Sequence, residues 1–231
     1  MSVIDVGTWG WDQVGWTQDY YPPDLPADWK LSYYANHFET VYVPAQQQTG
    51  LSEELVRQWQ QEAGERFEFS AECPAAVIGG GQTALEDWLD AWLCLGENLV
   101  GVVVDVHCLA DPEPALQQLA LLAARVPVHL AACTQEQGAA AAAVMELLQQ
   151  PGIYPVACGT TSTRYRNAQL ALIDESEFAQ DLRRLNKFIQ DFLSQNSDHK
   201  ILYLYVKPLS GSLAFVEQVQ TLIDLITPEA C

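Results

Sequence analysis

Basic residues are scarce. The chain holds 11 Lys and Arg against 30 Asp and Glu, a formal net charge of -19. No Lys or Arg stands between Arg66 and Arg125, and none between Arg125 and Arg164. Such a surface repels phosphate backbones and anionic headgroups, so neither a nucleic acid nor a membrane is expected as a partner. The basic residues Arg183, Arg184 and Lys187 share one expected helix and read as its solvated face. Also missing is a basic stretch followed by an apolar run at the N-terminus, so no secretory signal is expected. There is no apolar run of about 18 residues to span a bilayer. Cys73, Cys94, Cys108, Cys133, Cys158 and Cys231 include no C-x-x-C pair. Widely spaced thiols of this kind fit a reduced, cytoplasmic protein better than a disulfide framework.

What the chain does have is alternation of strand and helix signals. Apolar or alternating runs place strands at Val3–Gly7, Thr40–Val43, Arg66–Glu72, Leu99–His107, Val126–Ala132, Tyr154–Cys158, Gln169–Ile173 and Lys200–Lys207. Helical spacing, caps and capping boxes place helices between them. Ser52 precedes two acids, Thr83 pairs with Glu86, Asp111-Pro112-Glu113 opens another helix, and Thr134 pairs with Gln137. Gly79-Gly80-Gly81 reads as a flexible loop, and Asp174 to about Ser194 as one long helix. Eight strands, each followed by a helix or its remnant, demand parallel pairing through helical crossovers. The expected fold is a single (β/α)8 barrel domain over residues 1–231, with a sixth helix reduced to a turn and a degenerate seventh strand. An open doubly wound sheet is the other arrangement of these elements. Its phosphate fingerprint is missing, because Trp9 and Trp11 stand where small residues belong in Gly7-Thr8-Trp9-Gly10-Trp11.

The first third of the chain resembles a known family. Gly7-Thr8-x-Gly10-Trp11, Tyr21-Pro22, Leu31-x-Tyr33-Tyr34-Ala35-x-x-Phe38-x-Thr40-Val41, Trp59 and Phe67-x-Phe69 follow one another in an order similar to that of the YecE-like proteins, the domain of unknown function 72. The resemblance runs to about Pro74 and thins afterwards to general element order and Gly211. It implies an α/β barrel whose shape is shared with metal-dependent sugar isomerases and endonucleases, and it implies no established activity. The family's usual Glu-x-Asn after strand two is replaced here by Tyr42-Val43-Pro44, and its Lys near the end of strand three by Glu72. Its Gln-x-Pro becomes Asp105-Val106-His107, its Glu-x-Arg becomes His129-Leu130-Ala131, its Arg-x-His-Gly becomes Ala171-Leu172-Ile173-Asp174, and its Asn pair becomes Lys207-Pro208. No functional residue is therefore carried over from the family.

Candidate site residues come from strand phasing instead. If the apolar partners Phe67, Phe69, Val102, Val104, Val106, Val128 and Leu130 face the helices, then Glu68, Ser70, Glu72, Asp105, His107 and His129 face the barrel axis, with Tyr42, Tyr203, Tyr205 and Lys207. Late strand positions lie at the C-terminal mouth, where barrel enzymes keep their sites. Glu72, Asp105 and His107 are the candidates for general acid–base work. Trp9, Trp11, Tyr42, His129, Tyr205 and Lys207 are the candidates for ligand contact, with Lys207 holding an anionic group. The aromatic run Trp9, Trp11, Trp16, Tyr20 and Tyr21 reads equally as a ligand-facing wall or as a lid on the barrel. Interior charges demand partners, which a hydrogen-bonded polar plug would supply; a divalent metal with mixed N and O ligands is the alternative, although lone inward polar residues do not make a ligand set. A small-molecule ligand at the mouth is the first functional expectation, and its cofactor, if any, is not specified. The alternative is a catalytically degenerate barrel used for binding or interaction, and a metal-dependent sugar isomerase or phosphoester hydrolase is a further one.

Overall fold

Strands form where β-branched and aromatic side chains run together: β1 (Val3–Thr8), β2 (Thr40–Val43), β3 (Glu68–Glu72), β4 (Leu99–Asp105), β5 (Val128–Ala131), β6 (Ile153–Cys158), β7 (Leu170–Asp174) and β8 (Ile201–Lys207). The helices are α1 (Lys30–Tyr34), α2 (Glu53–Ala63), α3 (Ala75–Gly79), α4 (Gly81–Leu93), α5 (Pro112–Ala123), α6 (Glu175–Phe178), α7 (Leu182–Gln195) and α8 (Ala214–Ile226). Residues 144–147 are helical as well. The structure is a computed structural model that describes residues 2–12, 16, 20–106, 112–131, 144–158, 167–209 and 213–227.

All eight strands are parallel and form one sheet in the order β1-β8-β7-β6-β5-β4-β3-β2. The sheet curls until β1 meets β2, so the barrel is nearly closed. At that seam there is no full ladder. A single bridge joins Trp9 to Tyr42, and the Gly10 amide donates to the Tyr42 carbonyl at 2.7 Å. Gly7 makes the approach possible, because a Cβ there would sit 2.4 Å from the Thr40 carbonyl oxygen. The seventh strand, expected to be degenerate, is fully formed and pairs with both β6 and β8.

Side chains divide as the period of two requires. Val41, Val43, Phe67, Phe69, Val102, Val104, Val106, Val128 and Leu130 pack outward against helices, together with Trp59, Leu85, Trp88 and Trp92. A second outward layer joins Val206, Leu204 and Ile173 to Phe188, Ile189 and Val219. Inside the barrel lie Tyr42, Val103, Ala131, Val156, Cys158, Leu170, Tyr203 and Tyr205.

Two helix boundaries differ from expectation. The Gly79–Gly81 segment is not a loop. It ends α3 and starts α4, with Gly81 at φ +80° marking the break, so Thr83 lies inside α4 rather than at its cap. The long helix after β7 is two helices. Asp174 accepts from the Ser176 amide at 2.9 Å and Asp181 from the Arg184 amide at 3.0 Å, and each cap starts a helix of its own. The expected sixth-helix remnant and the Thr134 capping box lie outside the described residues. No helix among those described is long and apolar enough to cross a membrane.

Candidate functional site

The ends of β1, β2, β3, β4, β7 and β8 bring Trp9, Tyr42, Glu72, Asp105, Asp174 and Lys207 to the C-terminal mouth. The rings of Trp9 and Tyr42 stack with centroids 4.2 Å apart. The Lys207 ammonium lies 5.2 Å above the Trp9 ring centroid and 3.2 Å from an Asp174 carboxylate oxygen. A cation over an indole face is held by the ring quadrupole, so Lys207 is fixed from two directions.

Glu72 is the acid of this group that is held above its usual range. Burial raises its carboxyl above the ordinary value, and the charge of Asp105 adds to the effect. The Ala45 amide, donating to Glu72 Oε2 at 2.9 Å, and the Lys207 charge pull the other way without cancelling it. Asp174 is the opposite case. Burial works to raise it, but hydrogen bonds from the Ser176 hydroxyl and amide, with Lys207, outweigh burial and hold it below its usual range. The mouth therefore holds one carboxyl raised above its usual range and one held below it.

The Glu72 position is braced by Gln48, a residue that strand phasing does not single out. Its buried amide donates to the Glu72 carbonyl at 2.7 Å and to the Val43 carbonyl at 3.1 Å, and it accepts from Trp88 Nε1 at 2.8 Å. It ties the ends of β2 and β3 to α4. Nor does strand phasing single out Asp174, although it continues the inward phase of Leu170 and Leu172.

The other expected residues lie elsewhere. Tyr205 sits one layer below the mouth, fully buried, its hydroxyl 2.7 Å from Thr40 Oγ1 and 2.8 Å from Ser70 Oγ. His129 faces inward but lies deeper than the mouth. Ala131, two residues later, is the β5 partner of Asp105. The His129 ring fills the space left by Gly101, where a Cβ would come 2.7 Å from its Nε2. Neither ring nitrogen has a hydrogen-bond partner among the described residues. Burial, and secondarily the charge of His199, lowers its pKa to about 4. Trp11 turns away from the axis and packs edge-on against Trp59 of α2 at 5.2 Å. Trp16, Tyr20 and Tyr21 cluster with Tyr33 and Tyr34 of α1, so of the aromatic run only Trp9 faces the mouth among the described residues. His107 lies outside the described residues. Among those described, no three His, Cys, Asp or Glu side chains come together as a group fit to hold a metal ion.

A crystal structure of a DUF72 family protein from Enterococcus faecalis superposes with a TM-score of 0.68, at 13% identity, over 98% of each chain. A DUF72 family protein from Thermotoga maritima gives a TM-score of 0.65 at 16% identity, over 97% of this chain and 99% of that one. D-psicose 3-epimerase, crystallised in the presence of D-fructose, gives a TM-score of 0.59 at 9% identity, over 96% and 98%. These likenesses establish the TIM-type barrel. No curated protein matches the chain. The family described as "Protein of unknown function DUF72" matches residues 5–168, well over half of the 231, and the chain belongs to that family.

Proposed function

We propose that the C-terminal mouth binds a small polar molecule in the cytoplasm, and that Glu72 with Asp105 performs general acid–base chemistry on it. The observation that supports this reading is the Glu72 carboxyl, raised by burial and by Asp105, with a fixed cation, Lys207, acting on it from the same mouth. A carboxyl raised above its ordinary value is better suited to give up and recover a proton during a reaction. Lys207, oriented by Asp174, would hold an anionic or carbonyl oxygen of the ligand. Neither nucleic acid nor membrane is part of this reading, because the formal net charge of -19 opposes both.

A thermal-shift screen with sugars, sugar phosphates and small carboxylic acids tests the reading. A ligand at about 100 times its Kd stabilises by roughly 2.7 kcal/mol. In a chain of this size each kcal/mol moves Tm by about 2–4 °C, so a true ligand is readily seen. The expected result is stabilisation by one class, lost in Lys207→Met and Glu72→Gln. No stabilisation by any class overturns it.

That outcome would favour a second reading, a barrel that binds a partner and catalyses nothing. One feature supports it: the stacked Trp9 and Tyr42 rings, with Lys207 over Trp9, take up space at the mouth. The replaced family positions at Tyr42, Asp105 and Asp174 agree with it. A metal-dependent isomerase or phosphoester hydrolase would have to draw ligands from outside the described residues.

A further inference from the structure

The 3-10 turn Ala45–Gln48, which follows β2, grips Glu72 at both of its ends. At its start the Ala45 amide, an orphan donor of the turn, donates to Glu72 Oε2 at 2.9 Å. At its close the Gln48 side chain spends both amide protons, on the Glu72 carbonyl at 2.7 Å and on the Val43 carbonyl at 3.1 Å. Gln48 Oε1 in turn accepts from Trp88 Nε1 at 2.8 Å. Gln48 and Trp88 are each 7% exposed, so these bonds are made out of water. Chemistry leaves the Gln48 amide one orientation, because an indole N–H only donates and a carbonyl oxygen only accepts. Turned over, the amide would set its NH2 against the Trp88 N–H and its oxygen against two carbonyl oxygens. Trp88, on the outer helix α4, therefore fixes which way Gln48 points, and Gln48 fixes the turn that carries the Ala45 donor.

We infer that Trp88 and Gln48 are positioning residues for the acid–base group of the mouth: through the Ala45–Gln48 turn they hold Glu72 by Oε2 and leave Oε1 as the oxygen that exchanges a proton with a ligand. The inference rests on the reading of Glu72 as that acid–base group, and it adds control by a helix outside the barrel. Among the described residues Ala45 is the one hydrogen-bond donor to the Glu72 carboxylate. A proton placed on Oε2 would point at the Ala45 N–H, so the exchangeable proton belongs on the other oxygen.

The direction of the effect follows from what the Ala45 amide favours. An N–H aimed at a carboxylate oxygen stabilises the ionised form and opposes the burial that raises Glu72. Loosening the turn removes that opposition, and Glu72 then titrates at higher pH. The other charges facing Glu72 are Asp105 from β4 and Lys207 from β8, and neither is part of this network. Helix α4 also carries its own control. Trp92, one turn after Trp88, is fully buried in the same outward layer, and its Nε1 has no hydrogen-bond partner among the described residues.

The test follows the ligand-free full chain against pH, by carbon-13 NMR of the Glu72 carboxyl, assigned with Glu72→Gln, and by nitrogen-15 NMR of the Ala45 amide. In the parent the Ala45 amide should shift with the same midpoint as Glu72. Trp88→Phe and Gln48→Met should each raise that midpoint by about one pH unit and shrink the Ala45 shift. Trp92→Phe makes the same change on the same helix and should leave both as in the parent. The inference is overturned if Trp92→Phe raises the midpoint as much as Trp88→Phe, which would make the effect one of packing. It is overturned equally if Trp88→Phe and Gln48→Met leave the midpoint unmoved, or if the parent Ala45 amide does not follow Glu72. That last measurement needs no variant, so it decides the matter even where a substitution prevents folding. Because no ligand is present, a failed ligand screen would sink the functional reading and leave these results standing.

Discussion

Lys207 and Asp174 are joined across the β7–β8 edge of the mouth, 3.2 Å apart and opposite each other in the strand register. The lysine side chain is 48% exposed and the aspartate 29%, so this is a solvent-screened pair. Such pairs contribute about 0–1 kcal/mol to stability. Their consequence here is electrostatic, because Lys207 is a cation that lowers Glu72 while burial and Asp105 raise it.

Lys207→Met is therefore expected to leave Tm within a few degrees of the parent, about 2–4 °C per kcal/mol. The Glu72 carboxyl should titrate at higher pH than in the parent, and any process that needs Glu72 ionised should shift upward with it. Carbon-13 NMR of the Glu72 carboxyl reads this directly. An unchanged titration would show that Lys207 does not act on Glu72.

Asp174→Ala removes more than an ion pair. It deletes the acceptor for the Ser176 amide and hydroxyl, at 2.9 and 2.6 Å, and so the cap of α6. The expected loss is about 1 kcal/mol, typical of a helix cap, on top of the small pair contribution. Urea unfolding compared with Lys207→Met separates the two, since Lys207→Met keeps the cap. Equal losses in both variants would mean that the cap is worthless here.

Tyr205→Phe keeps the ring and removes a hydroxyl shared by Thr40 and Ser70, both fully buried. Two buried hydroxyls then lose a partner, a cost of about 1–3 kcal/mol. Chemical denaturation at neutral pH checks it. If stability is retained, Thr40 and Ser70 have re-paired with each other or with water.

Facing was legible in the sequence where the hydrophobic alternation was unbroken. Phe67 and Phe69, then Val102, Val104 and Val106, point to the helices, and Glu72 and Asp105 accordingly reach the mouth. Depth was not legible. Alternation says which side of the sheet His129 takes but not how far along the barrel it lies, and that is set by strand register. A register shift between Phe69 and Ser70, leaving Val100 as the extra β4 residue, moves that strand relative to its neighbour. Trp11 was unreadable for a different reason: it lies beyond Thr8, where β1 and its alternation end. Nor does local spacing reveal Gln48, whose role rests on contacts with Glu72 and Trp88.

The seam between β1 and β2 gives a sharp test of closure. In Gly7→Ala the added methyl would stand 2.4 Å from the Thr40 carbonyl oxygen, a backbone atom that cannot rotate away. Overpacking of this kind costs about 1–3 kcal/mol. Hydrogen exchange should show faster exchange at Gly10, whose amide bridges the seam to Tyr42, than at the β3–β4 ladder. Uniform acceleration over all strands would mean that the seam is not the weak joint.

His129 makes the barrel sensitive to acid. In the unfolded chain the imidazole titrates near 6.5, whereas in the folded barrel burial holds it neutral down to about 4. Above pH 6.5 neither state binds the proton, and the group has no effect on stability. Between those values the unfolded state is protonated and the folded state is not, so stability falls as pH falls. The full difference of about 2.5 pH units corresponds to roughly 3 kcal/mol. Carboxylates titrate in the same range, so the decisive quantity is the difference from a variant. His129→Leu has a similar volume, needs no proton acceptor, and removes two unpartnered nitrogens from the interior. It should be at least as stable as the parent at pH 7.5 and should lose less stability by pH 4.5, measured by urea unfolding at each pH. Parallel losses in the two proteins would show that His129 is not the titrating group and that its ring nitrogens find partners in solution.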